Sequence, residues 1–434
     1  MSTNQAENQT GLMLKKDFPF FETNPEVVYL DSAATSLTPN SVIDEINRYY
    51  RHYSVNIHRG VYKASAEATK VYEDTRQKVI KFINAPSSFE TVYTRNTTES
   101  LNLIAYSFER VSGLDELYFA WKSGWAKGDV ILLTESEHHS NIVPWQMLAE
   151  RVGARIVFVP VLPNGALNLN ALEDIKKDLA GETVKIVSLS QVSNVTGIVY
   201  DLEPFQSFAR EKGALFIVDG AQAVCHQKVD VTAIDCDFYV FSAHKMLGPT
   251  GIGVVVGKRS LFDKMHPFLG GGDMILEVHK GATTYNEPPY KFEAGTPNIS
   301  GVFGLAAAID YLEKVDLNEI FRWEQELLYY ALEKVGKIDG IIIHGPSLEE
   351  LKKGQYEKVG VLPFGIESIH PHDVGTILDD YKVCIRAGHH CCQLLMQAWN
   401  VSATNRASFY LYNDHSDIDK LVEAIQGVQK VFKR

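Results

Sequence analysis

Short runs of consecutive apolar residues alternate along the chain with longer stretches whose apolar positions recur every three to four residues. The runs at 130–134 (VILLT), 155–161, 185–190, 215–219, 238–242 and 253–256 are short and rich in β-branched or aromatic residues. That pattern predicts β-strands. The stretches at 141–152 and 203–212 carry helical periodicity between them. Strands that are apolar on both faces and separated by helices predict an α/β fold with a large, mostly parallel sheet. Further on, 311–334 reads as one long helix, followed by strands at 340–344, 358–362 and 383–385 and helices at 373–381 and 415–432. This predicts a smaller C-terminal α+β domain. The expected division is a mobile polar segment at 1–16, a large domain at 17–310 whose N-terminal part packs with the small domain, and the small domain at 311–434. The Gly-rich stretch 270–298 reads as loop, and no internal repeat is visible.

Composition narrows the function classes. The 434 residues are 45% hydrophobic and 22% charged, which is ordinary globular usage. Lys and Arg number 42 against 54 Asp and Glu, a net charge of −12. An acidic surface repels phosphate backbones and anionic lipid, so neither nucleic acid nor a membrane is an expected partner. The five cysteines are odd in number, and Cys391 and Cys392 are adjacent. That excludes a secreted disulfide framework and suits a reducing compartment. The opening MSTNQAENQTG has no basic or apolar region of a secretory signal, and no apolar run reaches the ~20 residues of a membrane span. A soluble cytoplasmic protein is expected.

In an α/β sheet, ligands bind beyond the carboxyl ends of the strands. Asp219 ends one apolar strand, in LFIVDGAQ; it reads as a helix cap or as the anionic partner of a protonated cofactor ring nitrogen. Lys245 lies just past the next strand, in FYVFSAHKMLGPTGIG, 26 residues on. A lysine there is a surface residue or a Schiff-base lysine of lowered pKa. Together the pair matches what a pyridoxal phosphate site needs. Ser242 and His244 are then phosphate donors, as are Thr97 and Thr98 in YTRNTTESLNL, which otherwise read as a plain N-cap. His138 and His139 are adjacent, so they point apart; one stacks on a cofactor ring, in preference to a two-His metal pair. The segment RAGHHCC (386–392) lacks zinc spacing and no metal is expected. It reads as two ordinary thiols, or as a mobile thiol nucleophile with Arg386 nearby to favour the thiolate. Arg406 grips a substrate carboxylate or forms a surface ion pair.

These segments together resemble the cysteine desulfurases, and within them the SufS-type branch of the fold-type I, class V aminotransferase-like pyridoxal phosphate enzymes. The resemblance rests on YLDSAATS (29–36), NIHRGVY (56–62), EHHSNIVPWQ (137–146), VSNVTG (192–197), VDGAQ (218–222), SAHKMLGPTGIG (242–253), FEAGTPN (292–298) and RAGHHC (386–391), in family order over residues 17 to 432. It implies the two-domain fold of that group. It implies that Lys245 carries the cofactor, Asp219 partners the pyridinium nitrogen and Gln222 bonds the ring hydroxyl. His138 stacks on the ring and moves protons. Thr97, Thr98, Ser242 and His244 hold the phosphate, and Thr296 reaches the phosphate of the other subunit in a homodimer. Asn194, Arg386 and Arg406 contact the substrate. Cys391 attacks the sulfur of L-cysteine, releasing L-alanine and leaving a persulfide that passes to a U-type or E-type acceptor protein for iron–sulfur cluster assembly.

The segment His370-Pro371-His372-Asp373 is similar to the one through which SufS-type enzymes meet a zinc-containing acceptor, with His372 as the zinc contact; its plain reading is a turn with Asp373 as N-cap. Three positions depart from the pattern: Gln191 where His is usual, Cys392 where Ala is expected and Leu394 where Pro is expected. Cys392 reads as a persulfide resolver or a spare thiol. The aromatic-rich stretch 108–127 reads as an insertion that touches a partner. The competing functions are another β- or γ-lyase, a selenocysteine lyase, and a cofactor-free scaffold for sulfur-transfer proteins. Cys391 argues against a lyase without a thiol nucleophile, and the trio Lys245, Asp219 and Cys391 argues against the scaffold.

Overall fold

The structure, a computed structural model, describes residues 14–432. After a first short strand, β1 (Val28–Tyr29), seven strands make the main sheet: β2 (Phe89–Thr94), β3 (Val130–Thr134), β4 (Arg155–Val159), β5 (Val184–Ser190), β6 (Leu215–Asp219), β7 (Phe238–Ser242) and β8 (Gly253–Lys258). Their order is β2-β8-β7-β6-β5-β3-β4. β3 to β7 pair in parallel, while β8 runs antiparallel to both of its neighbours. Side chains alternate between two cores because a strand has a period of two. Val130 and Leu132 join Phe216 and Val218 in one buried cluster, and Ile131 and Leu133 join Leu215 and Ile217 in the other. Both faces are covered, so the apolar runs are unbroken.

The expected strands and the helix Glu203–Lys212 are found, with edges shifted by a few residues. The helix expected at 141–152 begins at Val143, because His139–Asn141 first forms a 3-10 turn. The helix expected at 311–334 is two helices, Ile299–Val315 and Leu317–Val335. Asp316 breaks it: its φ is 73°, and its side chain accepts from the Asn318 N–H as the cap of the second helix. Nothing in the periodicity marks this break, since apolar positions continue through it. The loop expected at 270–298 contains an antiparallel hairpin, β9 (Ile275–Val278) with β10 (Thr283–Tyr285). Its Leu276, Val278 and Tyr285 are exposed, so no burial pattern advertised it.

The C-terminal part adds β11 (Ile341–Ile343), β12 (Val361–Ile366), β13 (Val383–Cys384), β14 (Arg386–Gly388) and β15 (Thr404–Ser408). Four of these form an antiparallel sheet in the order β11-β12-β15-β14, whereas β13 pairs in parallel with β1. A third core, including Trp323, Leu327, Phe364 and Leu421, joins this sheet to the helices Leu317–Val335 and His415–Phe432. The helix Pro371–Asp380 is capped by His370, not by Asp373 as the plain reading had it. Of the segment expected to be mobile, residues 1–13 lie outside the described residues. Lys15 within it pairs with Asp414 at 3.0 Å and Asp417 at 2.9 Å. The aromatic stretch 108–127 is used largely inside the chain itself. Tyr118 and Trp121 are buried, Trp121 Nε1 donates to the Lys185 carbonyl at 3.1 Å, and Phe119 covers Gly213, where a Cβ would come within 2.6 Å of its ring. No described helix is long and apolar enough to cross a membrane.

Candidate active site

The carboxyl ends of β6 and β7 are in register, with Asp219 opposite Val240. Asp219 and Lys245, which ends the 3-10 turn Ala243–Lys245, therefore emerge at one edge of the sheet. They line a cavity of about 200 Å³ with Thr97, Thr98, His138, Gln222, Ser242, His244, Asn194, Arg386 and Arg406. Of the nine expected cofactor contacts, Thr296 alone does not line it; Thr296 is exposed and sits beside Gly251 and Asn298. Burial pushes the Lys245 ammonium below its usual range, opposed by Asp219 and reinforced by Arg406 and Arg386. Burial likewise pushes Asp219 up, opposed by Lys245 and by the Ala221 N–H, which donates to Asp219 Oδ1 at 2.9 Å. Asp219 is thus no helix cap. The following helix, Ala223–His226, has Gln222 at its N-cap.

One wall is the start of the helix Thr97–Ser107. Its cap is Asn96, which accepts from the Glu99 N–H, not Thr97 or Thr98. The Thr97 N–H donates to Ser242 Oγ at 2.8 Å, and the two hydroxyls share a 2.7 Å bond. Thr98 Oγ1 meets Ser140 Oγ at 2.6 Å. Gly253 makes this wall possible: a Cβ there would lie 2.4 Å from Asn96 Cα. Hydroxyls, backbone N–H groups and a helix N-terminus together form an anion cradle. His244 Nδ1 lies 3.2 Å from Thr35 Oγ1, and burial, with Lys245 nearby, lowers its pKa to about 4.

Gln222 is fixed by its Nε2, which donates to the Ala33 carbonyl at 2.8 Å, while its buried Oε1 has no partner among the described residues. His138 Nδ1 accepts from the Ser140 N–H at 3.1 Å. Burial, then Lys245, lowers its pKa to about 3. It is a neutral imidazole with its remaining N–H on Nε2. His139 leaves the cavity and accepts from the Gln393 N–H at 3.2 Å, so the adjacent pair does point apart.

On the opposite wall, Arg386 of β14 and Arg406 of β15 are directly paired across the strands. Arg406 is buried; it donates to the Asn194 carbonyl at 2.7 Å and to Asp31 Oδ1 at 3.1 Å, and its Nε has no partner among the described residues. Two cations side by side in one cavity wall suit a carboxylate. Cys391 stands just outside the lining, its Sγ 3.9 Å from Arg386 Nη2. It sits on a left-handed turn, with φ 53° at His390 and 56° at Cys391. Cys392 turns the other way. Its buried Sγ contacts the carbonyls of Ser136 and Glu137 and Asn194 Oδ1, at 3.2 to 3.4 Å.

Sequence reasoning left several members of the site without a role. Asp31, Ala33, Asn96, Ser140 and Ser190 sat inside or beside quoted motifs, and nothing local marked them. The largest omission is Glu137. Fully buried, it accepts from Ser190 N at 2.9 Å, Ser190 Oγ at 2.7 Å, Asn141 Nδ2 at 2.8 Å and Thr134 Oγ1 at 2.6 Å. Burial outweighs these bonds and raises its pKa to about 7. A carboxyl at the end of an apolar strand is the signal that could have found it.

The orphaned Gln222 Oε1, the anion cradle and the Lys245–Asp219 pair fit pyridoxal phosphate. The class-V aminotransferase family matches residues 28–421. A cysteine desulfurase of Serratia proteamaculans is 44% identical over 96% of this chain and 98% of its own. Among solved structures, the cysteine desulfurase CsdA of Escherichia coli superposes with TM-score 0.84 at 36% identity, over 97% of this chain and 98% of that one. A cysteine desulfurase from Thermococcus onnurineus NA1 gives 0.86 at 36% identity, over 99% and 100%. With its sheet-edge lysine and aspartate and a match across nearly all of its length, the chain belongs to the class-V aminotransferase family.

Proposed function

We propose that this protein is a pyridoxal phosphate-dependent cysteine desulfurase, which takes the sulfur of L-cysteine onto Cys391 and releases L-alanine. One observation carries the reading: Lys245, Asp219 and paired arginines share a cavity with a cysteine poised at its mouth. Bound pyridoxal phosphate supplies an electron sink for the substrate α-carbon. The chain's own groups do the rest. Thr97, Thr98, Ser242 and His244 bind the phosphate, and Gln222 orients the ring. Asp219 keeps the ring nitrogen protonated. Arg406 and Arg386 hold the substrate carboxylate beside Asn194. Lys245, eased toward its neutral form by burial, takes and returns the α-proton, and His138 offers its Nε2–H on the ring face. The Cys391 thiolate attacks the substrate sulfur. The S–S bond forms as the Cβ–S bond breaks, and protonation of that carbon gives alanine.

Further parts of the reading rest on placement. Thr296, exposed and away from its own cavity, completes the cavity of a second copy in a homodimer. His370 and His372 are exposed and stacked, with ring centroids 5.4 Å apart, at the start of a helix. That position supports His372 as the contact to a zinc-bearing sulfur acceptor of U-type, over E-type, serving iron–sulfur cluster assembly. The five free cysteines support a reducing, cytoplasmic setting. The large and small domains divide at Asp316, the break between the helices Ile299–Val315 and Leu317–Val335, because the expected boundary at 310/311 falls inside the first of them.

The test is alanine formed from L-cysteine under a reductant, in wild type and Cys391→Ala. Alanine from wild type with loss in the variant supports the reading. Equal alanine from both overturns the role of Cys391, and none from either, with cofactor bound, overturns the substrate.

A further inference from the structure

Three donors gather at the cavity mouth from two segments distant in the chain. Ring nitrogens of His139 and His389 and the Sγ of Cys391 lie within 4.8 Å of one another. Local spacing hides this cluster, since it needs the turn after β3 to meet the turn after β14. The two turns are pinned together. The His139 N–H donates to the Cys391 carbonyl at 2.7 Å, and the Gln393 N–H donates to His139 Nε2 at 3.2 Å. Within the second turn, the Cys391 N–H donates to His389 Nδ1 at 3.1 Å. Both rings therefore turn a nitrogen lone pair to a backbone N–H, the same lone pair that ligates a metal. The two ring centroids lie 5.4 Å apart, with the ring planes tilted by 37°. His389 is exposed, so an ion has a path in.

We propose that His139, His389 and Cys391 form a binding site for a zinc-like divalent ion, whose occupancy caps the Cys391 sulfur. Two imidazoles and one thiolate suit a borderline-soft ion such as Zn²⁺, with a fourth position left for water. At ligand bonds of about 2.0–2.3 Å, tetrahedral donors stand closer than the 4.8 Å limit here, so the side chains close by roughly 1 Å around the ion. The weak backbone bonds to His139 and His389 are what the ion displaces. Binding exchanges the thiol proton for the metal and changes no oxidation state. A capped sulfur cannot attack, so the ion is a reversible brake. The brake rests on the proposed role of Cys391, but the binding does not.

The experiment titrates the holoenzyme, in a thiol-free reductant, with Co²⁺ as probe. It reads tetrahedral ligand-field bands at longer wavelength than the cofactor, then their displacement by Zn²⁺. Bands that appear in wild type, and affinity that falls by at least about tenfold in His139→Ala, His389→Gln and Cys391→Ala, support the site. The cofactor spectrum of each variant shows that it has folded. Bands unchanged in His139→Ala and His389→Gln, or no bands in wild type, overturn it. Because the readout is spectral, it stands whether or not alanine forms from cysteine.

Discussion

The floor of the cavity and its mouth are built in opposite ways. Asp219 and Lys245 hang from the ends of β6 and β7, all of whose residues are buried. Their positions are set by the sheet and two apolar cores, and burial shifts both toward their neutral forms. Cys391 rides on an irregular turn with two successive left-handed residues, part-exposed, with one cation near its sulfur. Groups that hold a cofactor gain from rigidity and exclusion of water. The role proposed for Cys391, to meet substrate and then present its cargo outside, needs a turn with few apolar anchors. The same site thus draws stability from one region and reach from the other.

That contrast can be broken at defined points. If Lys245 is the base and cofactor link proposed above, Lys245→Ala should lower alanine formation by about 10³-fold or more, with loss of the cofactor's absorbance band on gel filtration. Cys391→Ala removes the nucleophile proposed for the mouth; alanine formation should also collapse, but the cofactor band should remain.

Glu137 probes the buried layer beneath His138. Its folded pKa of about 7 lies above that of a free glutamate, so the native state holds a proton the unfolded state has lost. Stability from this source is complete below about pH 4.3, the unfolded value. It is lost as pH rises from there through 7, by roughly 4 kcal/mol in all. Urea unfolding across that range should show the slope in wild type and lack it in Glu137→Gln.

Gly253→Ala should push Asn96 off the cradle wall, costing about 1–3 kcal/mol in the melting transition and weakening cofactor affinity. The smallest effect is expected from Cys392→Ala. Its thiol is buried against carbonyls with its pKa raised by burial, so alanine formation should persist and stability should fall by about 1 kcal/mol. Loss of alanine formation in that variant would erase the distinction between the two thiols.

Much of the floor was legible in the chain because its signals are local. A strand buried on both faces announces itself as an apolar run, and a charged residue at its end stands out against that run, as with Asp219 and Lys245. Periodicity failed where polar chemistry inside a continuous pattern decided the outcome. Asp316 splits one apparent helix by capping the next, and the hairpin at 275–285 buries too little to leave a pattern. At 108–127 the buried Tyr118 and Trp121 pack inside the chain while Leu117 and Phe119 stay exposed, a division that composition does not mark.

By itself the sequence determined the α/β architecture, the strand-end chemistry and the cofactor class, because each follows from short-range pattern and residue type. Tertiary structure alone decided which distant groups share a space. Arg386 and Arg406 face each other through strand register, Cys391 and Cys392 take opposite directions through one strained turn, and His139 comes to lie beside His389. Those meetings depend on how elements far apart in the chain pack, and no local spacing encodes that.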